Sequence, residues 1–134
     1  MPKRTPLYQQ HLALGARCID FGGWEMPVQY TGIVAEHQAV RTAAGVFDIS
    51  HMGEIWVGGA HASGFLNQTL TNDIGLLAVG ESQYTLMCNE AGGVIDDLYV
   101  YRIANEAFLL MVNATRISSD LHWLEFQASN HGED

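Results

Sequence analysis

The sequence contains little positive charge and little cysteine, and both shortages restrict the functions open to it. Only 6 of its 134 residues are Lys or Arg, against 15 Asp and Glu, so the formal net charge is −9 at pH 7. Nucleic-acid binding needs a basic surface, so this balance argues against a nucleic-acid partner, and equally against an anionic membrane surface. The 2 cysteines, Cys18 and Cys88, form no CxxC pair, which indicates a reducing compartment.

Several common functional motifs are also missing. No apolar run approaches the length of a membrane span, and the opening "MPKRTPLYQQ" has no apolar signal core, so we expect a soluble cytoplasmic protein. The 6 histidines show no HxxxH or similar spacing, and we predict no metal site. No GxGxxG, Walker loop or GxSxG occurs. His51 stands beside Ser50 in "DISHMG", but such close neighbours on an extended segment point in different directions and cannot form a hydrolytic triad.

What is present predicts an α+β fold. Hydrophobic residues make up 48% of the chain and charged residues 16%, which is typical of a globular domain with a sizeable core. Predicted strands cover residues 54–57, 82–88, 94–103 and 107–112, and predicted helices cover 6–14, 32–44, 60–70 and 115–127. The last three strands are joined by short turn sequences, so we expect an antiparallel meander sheet with helices packed against it.

Two helices and one strand carry specific packing predictions. Leu7, His11 and Leu14 should fall on one side of the first helix, which Gly15 ends. The inner stripe of the last helix should consist of Ile117, Leu121 and Leu124, and the strand "AFLLMV" should be buried on both faces.

The stretch "GGVIDDLYVY", residues 92–101, places two adjacent aspartates at the start of a strand. Successive strand side chains point to opposite faces, so Asp96 belongs with Leu98 on an aliphatic face. Asp97 shares the other face with Tyr99 and Tyr101, which suits a ligand wall. The alternative is that both aspartates bond turn amides and are purely structural; residues and spacing favour that alternative.

Separate motifs in a fixed order resemble the amino-terminal part of the aminomethyltransferase family, the T-proteins of the glycine cleavage system. They are "TPLYQQHLALGARCIDFGGWEMPVQY", "AVRTAAGVFDISHMGE", "TND", "YTLMCNEAGGVIDDLYVY" and "LMVNATR". The folate domains of dimethylglycine and sarcosine dehydrogenases share the "FDISHMG" style of motif and form an alternative. The combination of "DFGGWEMP" and "GGVIDDL" is most similar to T-protein.

The resemblance implies a reaction and a set of site residues. T-proteins take an aminomethyl group from the lipoyl arm of H-protein, release ammonia, and pass the carbon to tetrahydrofolate, giving methylenetetrahydrofolate. By this resemblance Asp97 is the catalytic acid, and Asp96 is a structural acid bonded to turn amides. The implied folate-binding residues are Met52, Tyr84, Tyr99, Tyr101 and Asn113.

The resemblance also implies an incomplete protein. Family members have three domains around a folate pocket, and their pterin-holding glutamate and arginine come from later sequence. Residues 1–52 would be the opening segment of a first domain, and residues 53–134 most of the second. We therefore expect a fragment that is inactive alone and that either self-associates through uncovered apolar surface or is marginally stable with a mobile amino-terminal region. A non-catalytic folate-binding or assembly module is the alternative of a different class.

Overall fold

The computed structural model describes residues 1–131, which belong to two compact units, Met1–His51 and Met52–Asp134. The combination of helices and antiparallel sheets confirms the predicted α+β class. The assignment of residues 1–52 and 53–134 to a first and a second domain remains a prediction.

The first unit consists of a hairpin and two helices. Its elements are α1 (Tyr8–Ala13), β1 (Arg17–Phe21), β2 (Trp24–Gln29) and α2 (Ile33–Thr42). The turn between the strands is Gly22-Gly23, with φ angles of 59° and 84° that side chains disfavour. Helix α2 begins where it does because Glu36 Oε1 accepts the N–H groups of residues 30, 31 and 32 at 2.7, 2.7 and 2.9 Å.

The residues predicted to lie on one side of α1 differ in burial. Leu7 and Leu14 are 43% and 71% exposed, whereas Tyr8 and His11 are buried. Polar pairing orients the helix: His11 Nε2 lies 2.7 Å from Asp48 Oδ2, and the Tyr30 hydroxyl lies 2.8 Å from Nδ1. Burial alone would raise the pKa of Asp48, but hydrogen bonds, including that from His11, outweigh it and hold this pKa well below its ordinary range.

The second unit is built on a four-stranded antiparallel sheet. Its elements are β3 (Gly53–Gly58), α3 (Ala62–Thr69), a 3₁₀ turn (Ile74–Leu76), β4 (Ser82–Cys88), β5 (Val94–Ala104), β6 (Ala107–Val112) and α4 (Ile117–His131). The strand order is β3-β6-β5-β4. The predicted meander of β4, β5 and β6 is confirmed, and β3 pairs with β6.

Among the described residues of this unit, helices cover one face of the sheet. Leu98, Val100 and Phe108 belong to a core cluster that includes Phe65 and Leu66 of α3 and reaches α4 through Leu124. Burial of apolar surface on this side supplies the main stabilisation of the unit. The core leaves the opposite side of the sheet open.

Two packing predictions fail at this boundary. Leu121 is 42% exposed, because the inner side of α4 is formed by Ile117, Asp120 and Leu124. The side chains of β6 are fully buried only on the helix-covered face of the sheet. On the other face, Leu109 and Met111 are half-buried.

Residues 1–131 contain neither a membrane-spanning helix nor a metal-binding cluster. No helix in that range is long and apolar enough to cross a membrane. No group of three or more His, Cys, Asp or Glu side chains in the same range is arranged to hold a metal ion.

Candidate functional site

The open face of the four-stranded sheet contains the predicted site residues in neighbouring cross-strand rows. Tyr84 pairs with Tyr99, which pairs in turn with Met111 on β6. Ser82 pairs with Tyr101 in the next row. Directly opposed residues of a sheet point to the same face, so the three tyrosines line one surface.

The same register extends to the remaining predicted residues. Asp97 pairs with Leu86, and continuing the β5–β6 register by two pairs brings Asn113 opposite Asp97. Continuing the β3–β6 register by one pair brings Met52 opposite Asn113. Met52 is half-buried. By register, then, all six predicted site residues belong to this face.

The exposed carboxylate of Asp97 is held by two side chains. The Tyr84 hydroxyl donates to Asp97 Oδ2 at 2.9 Å. Asn113 Nδ2 donates to Asp97 Oδ1 at 3.1 Å and to the Asp97 carbonyl at 3.1 Å. Both carboxylate oxygens are therefore oriented while the group stays open to solvent, as a binding or reacting carboxylate requires.

Three aromatic rings share the sheet face of this carboxylate. The Tyr84 and Tyr99 rings meet edge to face, with centroids 5.5 Å apart, and the Tyr99 and Tyr101 centroids are 6.3 Å apart. Tyr84 and Tyr99 are 49% and 47% exposed, so these rings present apolar area to a ligand. The hydrogen bond to Asp97 raises the pKa of Tyr84 above its ordinary value, so the hydroxyl remains a donor at neutral pH.

Asp96 lies on the core face and is 6% exposed, which agrees with a structural acid. Its partners differ from the predicted ones, however. Asp96 Oδ2 accepts the backbone N–H of Asn113 at 3.1 Å, and Oδ1 accepts Asn113 Nδ2 at 2.9 Å. The expectation of turn amides is therefore wrong, because the end of β6 lies closer to this carboxylate than the turn before β5. Asn113 Nδ2 thus contacts both aspartates.

Sequence reasoning missed a further acid behind the site. Asp120 of α4 is completely buried, and burial together with the neighbouring Asp96 carboxylate raises its pKa to about 7. A signal for it was present: position 120 follows Ile117 by three and precedes Leu124 by four, the spacing of the inner side of a helix. Sequence reasoning also did not identify three neighbours on the open face as site residues: Trp56, Leu109 and Met111.

A separate pocket in the second unit contains none of the predicted site residues. It has a volume of about 250 Å³ and lies against β3, α3 and α4, with Trp56, Phe65 and Leu124 among its lining residues. The lining is mainly apolar and contains no carboxylate like Asp97 held by donors. The open face therefore remains the better candidate for chemistry.

Comparison with known proteins finds similarity along nearly the whole chain. Residues 7–133 match the family model described as the GCVT N-terminal domain. The aminomethyltransferase of Desulfitobacterium hafniense is 55% identical over 126 residues, which are 94% of this chain and 34% of that protein. The aminomethyltransferase of Thermus thermophilus is 54% identical over 123 residues, 92% of this chain and 35% of that protein.

A solved structure matches the fold as well. The crystal structure of glycine cleavage system aminomethyltransferase T from Bartonella henselae superposes with a TM-score of 0.87 at 42% sequence identity, covering 96% of this chain and 36% of that one. This chain thus spans about a third of the length of its relatives. With a family match over residues 7–133, the chain belongs to the GCVT N-terminal domain family.

Proposed function

We propose that this chain supplies the Asp97 site of an enzyme that transfers an aminomethyl carbon to tetrahydrofolate. The observation that carries the proposal is the exposed Asp97 carboxylate, held by Tyr84 and Asn113 on an open aromatic face. The names of its relatives as aminomethyltransferases support the reaction type. The resemblance of the "GGVIDDL" motif supports the acceptor.

The residues of this face suit a folate as substrate. Tyr84 and Tyr99 offer exposed ring area for a flat heterocycle. The Asp97 carboxylate can accept a hydrogen bond from an attacking N–H group and stabilise positive charge that develops there. Tyr84 and Asn113 fix the direction of that carboxylate before substrate arrives, which avoids reorientation during the reaction.

The donor side of the reaction is proposed on the resemblance alone. The aminomethyl group would arrive on the lipoyl arm of H-protein, and transfer would release ammonia. Cytoplasmic location is proposed on the same basis, together with the absence of a disulfide between Cys18 and Cys88, both of which are free.

A chimeric enzyme tests the function. The matching 123-residue segment of the Thermus thermophilus aminomethyltransferase would be replaced by the corresponding residues of this chain, with the unaltered Thermus enzyme as the control. We expect ammonia release from aminomethylated H-protein that depends on tetrahydrofolate. A folded chimera that binds tetrahydrofolate but releases no ammonia would contradict the proposal.

A further inference from the structure

A buried carboxyl group lies on the core side of the sheet behind Asp97 and takes no part in the function proposed above. Asp120, in the first turn of α4, is 0% exposed, and its Oδ2 atom has no hydrogen-bond donor facing it. An ionised carboxylate in this position would lack the partners that stabilise a buried charge. Asp120 Oδ2 gains a hydrogen-bond partner if it carries a proton and donates that proton to a neighbouring acceptor.

The acceptor for that proton is adjacent. The carboxyl of Asp96, itself only 6% exposed, is close enough to Asp120 to raise the pKa of Asp120. Two ionised carboxylates in contact repel each other, whereas one protonated and one ionised group form a strong charge-assisted hydrogen bond. Both oxygens of Asp96 accept from Asn113. Asp96 is therefore the ionised acceptor, and the proton belongs on Asp120.

The charges around Asp120 are consistent with this assignment. Burial and the Asp96 carboxylate of β5 raise the pKa of Asp120, while Arg116 in the β6–α4 connection and Ser119 on α4 oppose the rise without cancelling it. The Arg116 guanidinium is engaged elsewhere, since its Nε and Nη2 donate to the Ile95 carbonyl at 3.0 and 2.7 Å. Arg116 keeps its charge but donates to the Ile95 carbonyl and not to Asp120, so it forms no hydrogen-bonded ion pair with the Asp120 carboxyl.

We propose that Asp120 is a positioning residue that donates a hydrogen bond to Asp96 and so sets the geometry of the catalytic carboxylate. From Asp96 onward the contacts are continuous: Asn113 Nδ2 donates to Asp96 Oδ1 at 2.9 Å and to Asp97 Oδ1 at 3.1 Å. The buried proton is independent of the reaction, and only the effect on catalysis rests on the proposed function.

Infrared spectroscopy of this chain, labelled with ¹³C at the aspartate and glutamate side-chain carboxyls, tests the proton directly. At pH 6 we expect the carbonyl band of a buried carboxylic acid. The band should be missing from Asp120→Asn and unchanged in Glu125→Gln, which removes an exposed acid from the same helix. An Asp120→Asn spectrum that retains the full band overturns the inference.

The side-chain amide of Asn113 reports the positioning step in nuclear magnetic resonance spectra. In the unaltered chain its signals should shift with a midpoint near pH 7, because ionisation of Asp120 sets two carboxylates against each other. In Asp120→Asn the amide N–H replaces the O–H donor, so the signals should stay constant. An unaltered chain whose Asn113 signals do not move between pH 6 and 9 overturns the inference, whether or not the variant folds.

The catalytic consequence is measured in the chimeric enzyme. Turnover should fall about ten-fold or more as pH rises through the midpoint at which the Asn113 signals shift, as expected when a reacting group is misplaced. Asp120→Asn should abolish that limb of the profile and leave the KM for tetrahydrofolate unchanged. Identical profiles in both enzymes would refute the positioning role. Absence of any transfer would instead refute the proposed function, while the spectroscopic results would stand.

Discussion

At the scale of single residues, Asp96 and Asp97 are adjacent in sequence but occupy different environments. Asp96 is 6% exposed and bonded to the backbone and side chain of Asn113, whereas Asp97 is exposed beside two tyrosines. The alternation of strand side chains produces this separation. The same substitution at the two positions should therefore have opposite consequences.

We predict that Asp96→Asn destabilises the second unit and Asp97→Asn does not. Asparagine at position 96 presents an amide N–H₂ to the Asn113 donors, leaving buried groups unpaired at a cost of about 1–3 kcal/mol. Asp97 is exposed, so its replacement should change the free energy of unfolding by less than about 0.5 kcal/mol. Urea unfolding of both variants measures the difference. An equal or larger loss at Asp97 would contradict the assignment of the structural role to Asp96.

The buried acid predicts how stability depends on pH. The folded pKa of Asp120 is raised to about 7 from an ordinary value of 3.8, so the folded state retains a proton that the unfolded state loses. The contribution of this group to stability is therefore full below about pH 4, declines as pH rises, and is level above about pH 7. Urea unfolding followed by fluorescence checks this in a Trp24→Phe background, where Trp56 and Trp123 report on the second unit. Asp120→Asn should remove that decline, and an equal decline in the variant would show that another group is responsible.

Residue patterns explain why some site residues could be predicted and the partners of Asp96 and Asp120 could not. Alternation along β5 was enough to separate Asp97 from Asp96 and to group it with Tyr99 and Tyr101. The partners of Asp96 and Asp120 depend on how α4 and the end of β6 approach β5, a contact across 17 or more residues of sequence. Local periodicity carries no information about such an approach.

At the scale of elements, the sheet and helices of the second unit fit closely where β3 meets α4. A methyl group at Gly53 would collide with Ile117 and come 2.8 Å from Val112 Cγ2. The small residue lets the helix lie directly against the strand that precedes the site. The spans of the strands in this sheet were well predicted because hairpin turns mark their ends. Helix α1 begins at Tyr8, two residues later than Pro6 indicates, and polar partners orient it.

We predict that Gly53→Ala destabilises the second unit by about 1–3 kcal/mol, the usual cost of overpacking a core. Gly64→Ala is the matched control, because Gly64 lies within α3 and a methyl group added there would have no atom within 4 Å. That variant should be stabilised by about 0.5–1 kcal/mol through the higher helix propensity of alanine. Thermal unfolding of both measures the contrast, and a neutral Gly53→Ala would show that α4 can move away from β3 at little cost.

At the scale of the whole molecule, each unit exposes apolar surface. In the first unit Ile33 and Val34 are 60% and 75% exposed, and no residue of α2 is buried. In the second, Trp56 on the open sheet face is 61% exposed. Exposed apolar patches of this kind favour association. The family and the fold explain how the sheet is built. The sequence pattern of one chain does not identify which molecules contact these exposed surfaces.

We predict that this chain self-associates in dilute solution and that added salt strengthens the association. Its net charge of −9 opposes contact between copies, and salt screens that repulsion. Sedimentation at low and high salt tests this. Trp56→Glu should weaken the association, and His122→Glu, also at an exposed position but on α4, is the charge-matched control. A monomer at every salt concentration would contradict the prediction.

The most direct measurement of the central claim is the turnover of Asp97→Asn in the chimeric enzyme. The substitution is nearly isosteric and removes the charge that would stabilise the reacting nitrogen, so turnover should fall about a hundred-fold or more. Tetrahydrofolate binding, measured separately by calorimetry, should change little, because the tyrosine face is untouched. Full turnover in Asp97→Asn, or a larger loss of turnover in Asp96→Asn at equal folded fraction, would contradict the account.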